Sequence, residues 1–312
     1  MTFAALRNWL LRGRPGPGGA DPTAGGDLLL LDHPAQPSDA APPPRSPIWP
    51  ASRLAIEEEL WGTGFLNPGG GPEVLRYAAP MGLSAAATVL LLGTGAGGPA
   101  QMLATELGVW VAAHEADPDL AALAARRIQR AGAALAKRAT IAQWDPHDPD
   151  FRPRSAHHAL AIEALRDATV EPVLAAIAAA LKPHGQIVLV ETVATTPPDP
   201  ADPAIATWFR LEGRAPHLPT PETVTRALSR LGFDVRVTED LSARHMRLAV
   251  LGWRHLVRQM ARERPGHDRA MAVVIEAELW TRRIRLMHSG QIRLMRWHAI
   301  GPTHPVALPK PA

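Results

Sequence analysis

Gly93-Thr94-Gly95-Ala96-Gly97-Gly98 places four glycines in six positions directly behind the apolar run Val89-Leu90-Leu91-Leu92. An acid, Glu115, follows 22 residues after the first glycine. Residues of these types in this order can hold a nucleoside. Glycines let a ligand approach backbone N–H groups without side chains in the way, and a helix that starts at their far end aims its first N–H groups at the same place. A carboxylate at the end of the next strand can accept both hydroxyls of a ribose. The spacing G-x-G-x-G, with Gly98 adjacent, leaves the choice between a dinucleotide and another nucleoside cofactor open.

The flanking sequence predicts elements that would hold this turn. From Thr88 onward short apolar runs alternate with helical stretches, which argues for a parallel sheet covered by helices. Strands are expected at 88–92, 109–113, 139–143, 158–162, 186–191, 233–237 and 291–297. Helices are expected at 52–60, 73–81, 99–107, 118–132, 169–181, 221–232, 242–262 and 267–288, with Asp117 as an N-cap. Lys182-Pro183-His184-Gly185 reads as a turn, and the region around Trp208 and His217 as irregular. The expected fold is α/β: a Rossmann-like, seven-stranded, mostly parallel sheet with helices on both faces. Residues 1–50, of which ten are proline, read as an irregular arm. Residues 51–84 read as a helical cap with a glycine loop, 85–300 as the core with a helical insertion at 240–289, and 301–312 as a tail.

Bulk properties remove several alternatives. Apolar residues make up 46% of the 312, enough for a large core. There is no cysteine, so disulfides, thiolate-bound metals and thiol catalysis are excluded. The histidines lack metal-ligand spacing, so no metal site is expected. Net charge is +3, and aromatics are not interleaved with the basic residues, so nucleic acid is not an expected partner. Met1–Arg12 is a short basic amphipathic stretch without a secretory pattern, and no apolar run reaches bilayer length. The expected location is the cytoplasm, with peripheral membrane contact as an option. Arg282, Arg283, Arg285, Arg293 and Arg296 read as a basic patch: either a solvated face or, with the N-terminal arm, a surface for a membrane or a protein partner.

Three further segments narrow the cofactor. Ala180-Leu181-Lys182-Pro183-His184-Gly185-Gln186-Ile187-Val188-Leu189-Val190-Glu191 resembles the L-K-P-G-G-x-h-h-h segment before the fifth strand of class I S-adenosylmethionine-dependent methyltransferases. Upstream, Trp61-Gly62-Thr63-Gly64-Phe65-Leu66-Asn67-Pro68-Gly69-Gly70 resembles the G-x-x-Y-I-S-x-G-G loop of phosphoethanolamine and related small-molecule methyltransferases, and Leu231–Leu241 resembles their G-F-x-h-x-x-x-x-D-h segment. The resemblance spans roughly residues 52–300. It implies S-adenosyl-L-methionine as cofactor and methyl transfer to a small molecule. Gly93, Gly95 and Gly97 would flank the methionine portion, Glu115 the ribose and Asp145 the adenine amino group. Ile162 and Glu163 would face the sulfonium end, and Phe65 and Asn67 would close the loop over the cofactor.

The match has two departures. Leu91 stands where the family carries an acid two residues before the first glycine, and Glu163-Ala164-Leu165-Arg166-Asp167 lacks the histidine of E-x-L-x-H. The catalytic base is therefore unassigned, with Glu163, His217 and His245 as candidates. The rival reading is a methyltransferase-like protein without turnover, serving as an assembly or binding partner. A nicotinamide-dependent oxidoreductase is the third.

Overall fold

The computed structural model describes residues 48–199, 201–262 and 265–303. The arm up to residue 47 and the tail from 304, including the expected N-terminal partner surface, lie outside them.

Seven strands form one sheet in the order β3-β2-β1-β4-β5-β7-β6. They are β1 (Thr88–Leu92), β2 (Trp110–Glu115), β3 (Ala139–Gln143), β4 (Ala156–Ile162), β5 (Leu181–Ala194), β6 (Asp234–Asp240) and β7 (Ile292–Ile300). The pairs among β1 to β5 are parallel, whereas β7 runs antiparallel between β5 and β6. The helices are α1 (Ala51–Trp61), α2 (Gly70–Ala78), α3 (Gly98–Glu106), α4 (Pro118–Arg130), α5 (Ala133–Arg138), α6 (Val170–Ala180), α7 (Pro203–Glu212), α8 (Pro221–Arg230), α9 (Ser242–Arg262) and α10 (His267–His288). The Rossmann-like, seven-stranded sheet expected from the alternating runs is thus present.

Successive residues of the central strands feed opposite faces, as the period of two requires. Val89, Leu91, Leu160 and Val188 pack with Tyr77, Met81 and Leu103 on one face. Leu90, Leu92, Ala159 and Ile187 pack with Leu174, Ile177, Leu228 and Trp297 on the other. A third core joins α1 to α9 and α10 through Ile56, Leu60, Trp61, Leu256, Met260, Val273 and Trp280. Inside it the Glu57 carboxyl accepts the indole N–H groups of both Trp61 and Trp280. Burial, followed by the neighbouring Glu276, pushes the Glu57 pKa well up.

Four details differ from the sequence-based expectation. Residues 203–212 form a helix, not an irregular stretch: Asp202 caps it by accepting from Ala204 N–H at 2.8 Å, and Ile205, Trp208, Phe209 and Glu212 form its buried stripe. Proline at its first position is compatible with a helix, so the Pro/Asp run marks a start rather than a gap. Leu181–Gly185 continues β5 instead of turning; an irregular register against Ala156 and His158 absorbs the left-handed His184, at φ 59°. Finally, α2 begins at Gly70, inside the glycine run, and α5 is an additional short helix. Among the described residues no helix is long and apolar enough to cross a membrane.

Candidate functional site

The sheet reverses its winding at β1, whose neighbours β2 and β4 are reached in opposite directions. Ligands of open α/β sheets bind outside the carboxyl ends of strands at such a point. The glycine turn lies there. Gly93 (φ 73°), Gly95 (φ 56°) and Gly97 (φ 101°) all take the left-handed conformation that side chains disfavour. A Cβ on Gly93 would also collide with the carbonyl oxygen of Ile162, so the ends of β1 and β4 meet only because this residue is glycine. Gly97 precedes α3, and a Cβ there would press on Ala124 at 3.2 Å.

The upstream glycine loop crosses this turn backbone to backbone. Gly98 N–H donates to Gly64 O at 3.0 Å, and a Cβ on Gly98 would stand 2.8 Å from Gly64 C and O. Glu58 fixes the crossing. It accepts from Gly64 N–H at 2.9 Å and pairs with Arg127, which also donates to Ala96 O. Gly98→Ala is expected to pull the loop off the turn. Limited proteolysis within residues 62–71 should accelerate in this variant relative to wild type.

A cleft of about 250 Å³ opens above the turn. Among the sequence-predicted residues, Asn67, Gly93, Gly95, Glu115, Ile162 and Glu163 line it. Gly97 lies beneath it at the start of α3. Phe65 packs into the adjacent apolar cores rather than on the cleft wall. Asp145 is exposed, and its Oδ1 accepts from His147 N–H at 2.8 Å; its neighbours Trp144 and Pro146 line the cleft instead. Neither candidate histidine reaches it. His217 is exposed and lies 3.2 Å from Ala168 O. His245 sits beside Trp280 at 5.6 Å, and burial followed by the Arg283 charge pushes its pKa down to about 3. Trp49, Thr94, Trp144, Arg166 and Asp167 also line the cleft; Thr94, Arg166 and Asp167 fall inside motifs singled out for their neighbours, whereas Trp49 and Trp144 lie in loops without periodicity.

Glu115 is the hub of the hydrogen bonds at the glycine turn. Its carboxylate accepts from Gly95 N–H at 2.6 Å, Ala116 N–H at 2.9 Å and Asp117 N–H at 3.3 Å. Burial pushes its pKa up to about 7 despite these three donors. Leu91 is fully buried in the core beneath Tyr77 and Leu103, where a carboxylate would have no water. The bond from Gly95 to Glu115 steadies the turn in its place.

Behind the cleft lies a network of buried charge. Glu163 accepts from Arg283 at 2.7 Å and from Thr192 Oγ1 at 2.5 Å, and it pairs with Arg214. Glu212 takes Arg283 at 2.6 Å and Arg166 at 3.3 Å. Glu191 lies 3.7 Å from Arg214 and accepts from Leu165 N–H. Burial pushes the Glu163 carboxyl up, but Arg283, Arg214 and Arg166 outweigh it and hold its pKa well below the usual range. Glu163 also adopts φ 52°, a strained value for a residue with a side chain.

One residue of the sequence-predicted basic patch, Arg283, is buried, whereas Arg285 is exposed. Arg283 is 3% exposed and belongs to this network, while Arg282, Arg293 and Arg296 pair with Glu278, Asp240 and Glu239. The spacing of Glu276, Trp280, Arg283 and Met287, at i, i+4, i+7 and i+11, already places Arg283 on the inward stripe of α10.

Glu191 behaves oppositely to Glu163. Burial and then the Glu163 charge push its pKa up to about 8. The folded protein thus holds this proton more tightly than the unfolded chain. The contribution is fully present below the unfolded carboxyl pKa and is lost as pH rises toward 8. Glu191→Gln, which mimics the neutral acid, should flatten the Tm profile between about pH 5 and 8 and raise Tm at the alkaline end. An unchanged profile would remove Glu191 as its source.

The site suits an adenosyl group. The cradle at Gly93 and Gly95 exposes backbone, and Glu115 offers a carboxylate at the end of β2. Two cleft-lining side chains, Thr94 and Trp144, bury polar atoms (Oγ1 and Nε1) that find no partner among the described residues. A ligand in the cleft can satisfy both.

Fold and strand order are those of class I S-adenosylmethionine-dependent methyltransferases. No protein-family model and no curated protein sequence matches the chain. Among solved structures, phosphoethanolamine N-methyltransferase 2 of Haemonchus contortus, in complex with phosphomonomethylethanolamine and S-adenosylhomocysteine, is similar with a TM-score of 0.69 at 18% identity. The match covers 80% of this chain and 57% of that one, so the chain spans little more than half its length. A sarcosine dimethylglycine methyltransferase from Galdieria sulphuraria matches with a TM-score of 0.66 at 14% identity, over 81% of this chain and 99% of the other. The [4+2]-cyclase SpnF matches with a TM-score of 0.61 at 17% identity, over 81% and 93%.

Proposed function

We propose that the chain transfers a methyl group from S-adenosyl-L-methionine to a small-molecule acceptor. One observation carries this reading: the Gly93–Gly95 turn, the Glu115 carboxylate and the Ile162–Glu163 edge converge on a single cleft at the β1/β4 switch point. When bound, S-adenosyl-L-methionine supplies a methyl group already activated by its sulfonium. Glu115 would accept the ribose hydroxyls, and the backbone of Gly93 and Gly95 would run along the methionine portion. Trp144 and Pro146, rather than Asp145, would flank the adenine. Asn67 and the loop that carries Phe65 would close over the cofactor.

The residues of the chain then act mainly by placement. Proximity and alignment alone lower the barrier of such a displacement by several kcal/mol, on the order of 7–11 at best. Glu163 is held as a carboxylate by its arginines and is a weak base, so its part is to orient an N–H or O–H of the acceptor rather than to take its proton. The small-molecule ligand in the Haemonchus complex supports an acceptor of that size. Mass spectrometry of the purified full chain, incubated with S-adenosylmethionine and NAD together, should find the adenosyl-sulfonium ligand or its demethylated product. Retention of NAD alone would overturn the proposal.

A second reading keeps the fold but drops the turnover. Glu115 already receives three backbone N–H groups, which occupy much of its acceptor capacity, and a [4+2]-cyclase on the same fold means that the fold does not by itself require methyl transfer. The protein would then be a methyltransferase-like binding partner. A folded protein that takes up no S-adenosylmethionine would favour it.

A further inference from the structure

The inner stripe of α9 (His245, Ala249, Leu256 and Met260) is buried, and Gly252 lies against Trp61 and the carbonyl of Leu60. This fixes which stripe faces out. Arg247, Leu251, Arg254, Arg258 and Arg262 follow at i, i+4, i+7, i+11 and i+15, and all are exposed, as are Val250 and His255 beside them. Leu251 is 52% exposed and Val250 37%, high values for large aliphatic side chains on a helix that is otherwise packed.

The charge of this helix is as lopsided as its packing. Its 21 residues contain five arginines and no acid, in a chain whose net charge is only +3. Arg244, at the inner edge, is taken by Glu73. Among the described residues, Arg247, Arg254 and Arg258 lie within ion-pair distance of no carboxylate. The stripe runs for roughly 22 Å at the usual helical rise.

From this geometry we infer that the outer face of α9 docks on an anionic lipid surface, with the helix lying in the plane of the membrane. Guanidinium groups along the stripe meet lipid phosphates, and Leu251 and Val250 enter the boundary between headgroups and acyl chains. The aliphatic pair decides the occupant. A nucleic-acid backbone would use the arginines but has no place for Leu251, and the face offers no exposed aromatic for stacking bases. The inference is independent of the chemistry in the cleft. It also concerns a different surface from the paired arginines of α10 and β7.

Vesicle co-sedimentation of the full chain tests it. Vesicles of phosphatidylcholine with phosphatidylglycerol should carry the protein down, and phosphatidylcholine alone should not. The combined substitution Arg247→Glu, Arg254→Glu and Arg258→Glu should lower partitioning by at least about a hundredfold, at about fivefold for each basic residue lost. Leu251→Ser should lower it by about tenfold without changing the charge. All four positions are on the surface, so Tm should stay at the wild-type value. As a control, reversing the exposed Arg130, Arg226 and Arg230 should leave binding intact. Three results would overturn the inference: no binding to the anionic vesicles, equal losses in the α9 and control variants, or an RNA oligonucleotide that competes fully while Leu251→Ser has no effect.

Discussion

Gly93→Ala is expected to unfold the site rather than perturb it. The residue stands at φ 73°, and the carbonyl of Ile162 occupies the space a Cβ would need. The colliding atom belongs to the backbone of a central strand, so no side chain can rotate away. Either β1 or β4 must shift, and each is hydrogen-bonded to neighbours on both sides. The left-handed conformation alone costs an alanine about 1–2 kcal/mol. Gly82 provides the control: it has φ 57°, and nothing lies within 4 Å of a Cβ placed on it. Gly82→Ala should show only that conformational cost. Gly93→Ala should lose at least twice as much stability, about 3–4 kcal/mol, within the range for strained and overpacked sites. Denaturant titration of both variants measures the difference. Equal losses would mean that the approach of β1 and β4 is not tight.

Arg283→Met should be the second severe lesion. It removes the guanidinium that Glu163 and Glu212 share, in a region with little water. Breaking a buried ion pair by deleting one partner typically costs about 3–5 kcal/mol, because the other charge remains behind. The loss should depend on pH. The depressed pKa values of Glu163 and Glu212 contribute stability that is present above the unfolded carboxyl pKa and lost on acidification. The deficit of Arg283→Met should therefore be largest near neutrality and shrink toward about pH 4. Adding Glu212→Gln should recover part of it. A deficit that is constant with pH and not relieved by the second substitution would point to lost packing instead.

How much of this could be read from the sequence depends on the kind of signal. The sheet was legible because its strands are short apolar runs bounded by turn residues. The glycine turn was legible because glycines clustered directly behind an apolar run mark a turn through φ values that side chains disfavour, such as those at Gly93, Gly95 and Gly97. The position of Glu115 at the end of β2 followed from counting along one β-α-β unit. The charge network was not legible, because Glu163, Glu191, Arg214 and Arg283 come from four separate segments that only the fold brings together. Arg283 reads as a surface residue because it lies in a run of arginines, although its helical phase with Trp280 and Met287 points inward. The helix at residues 203–212 is hard to read because the Pro/Asp run before it has the composition of a loop, although Pro203 is its first residue. At Leu91 the departure from the family pattern has a local explanation. That position faces the core, and Glu115 holds the turn from the other side.

The most direct test is isothermal titration of the full chain with S-adenosylhomocysteine at about pH 6 and pH 8. Burial pushes the Glu115 pKa up to about 7, and the ionised form, with no proton on either oxygen and a full charge, would accept two ribose hydroxyls more strongly than the neutral acid. Binding should thus be roughly five- to tenfold tighter at the higher pH, following the ionised fraction. Glu115→Ala should weaken it by about a hundredfold, the scale of lost charge-assisted hydrogen bonds, and abolish the pH dependence. Absence of binding by the folded protein at either pH, or equal affinity for wild type and Glu115→Ala, would contradict the assignment of this cleft to the cofactor.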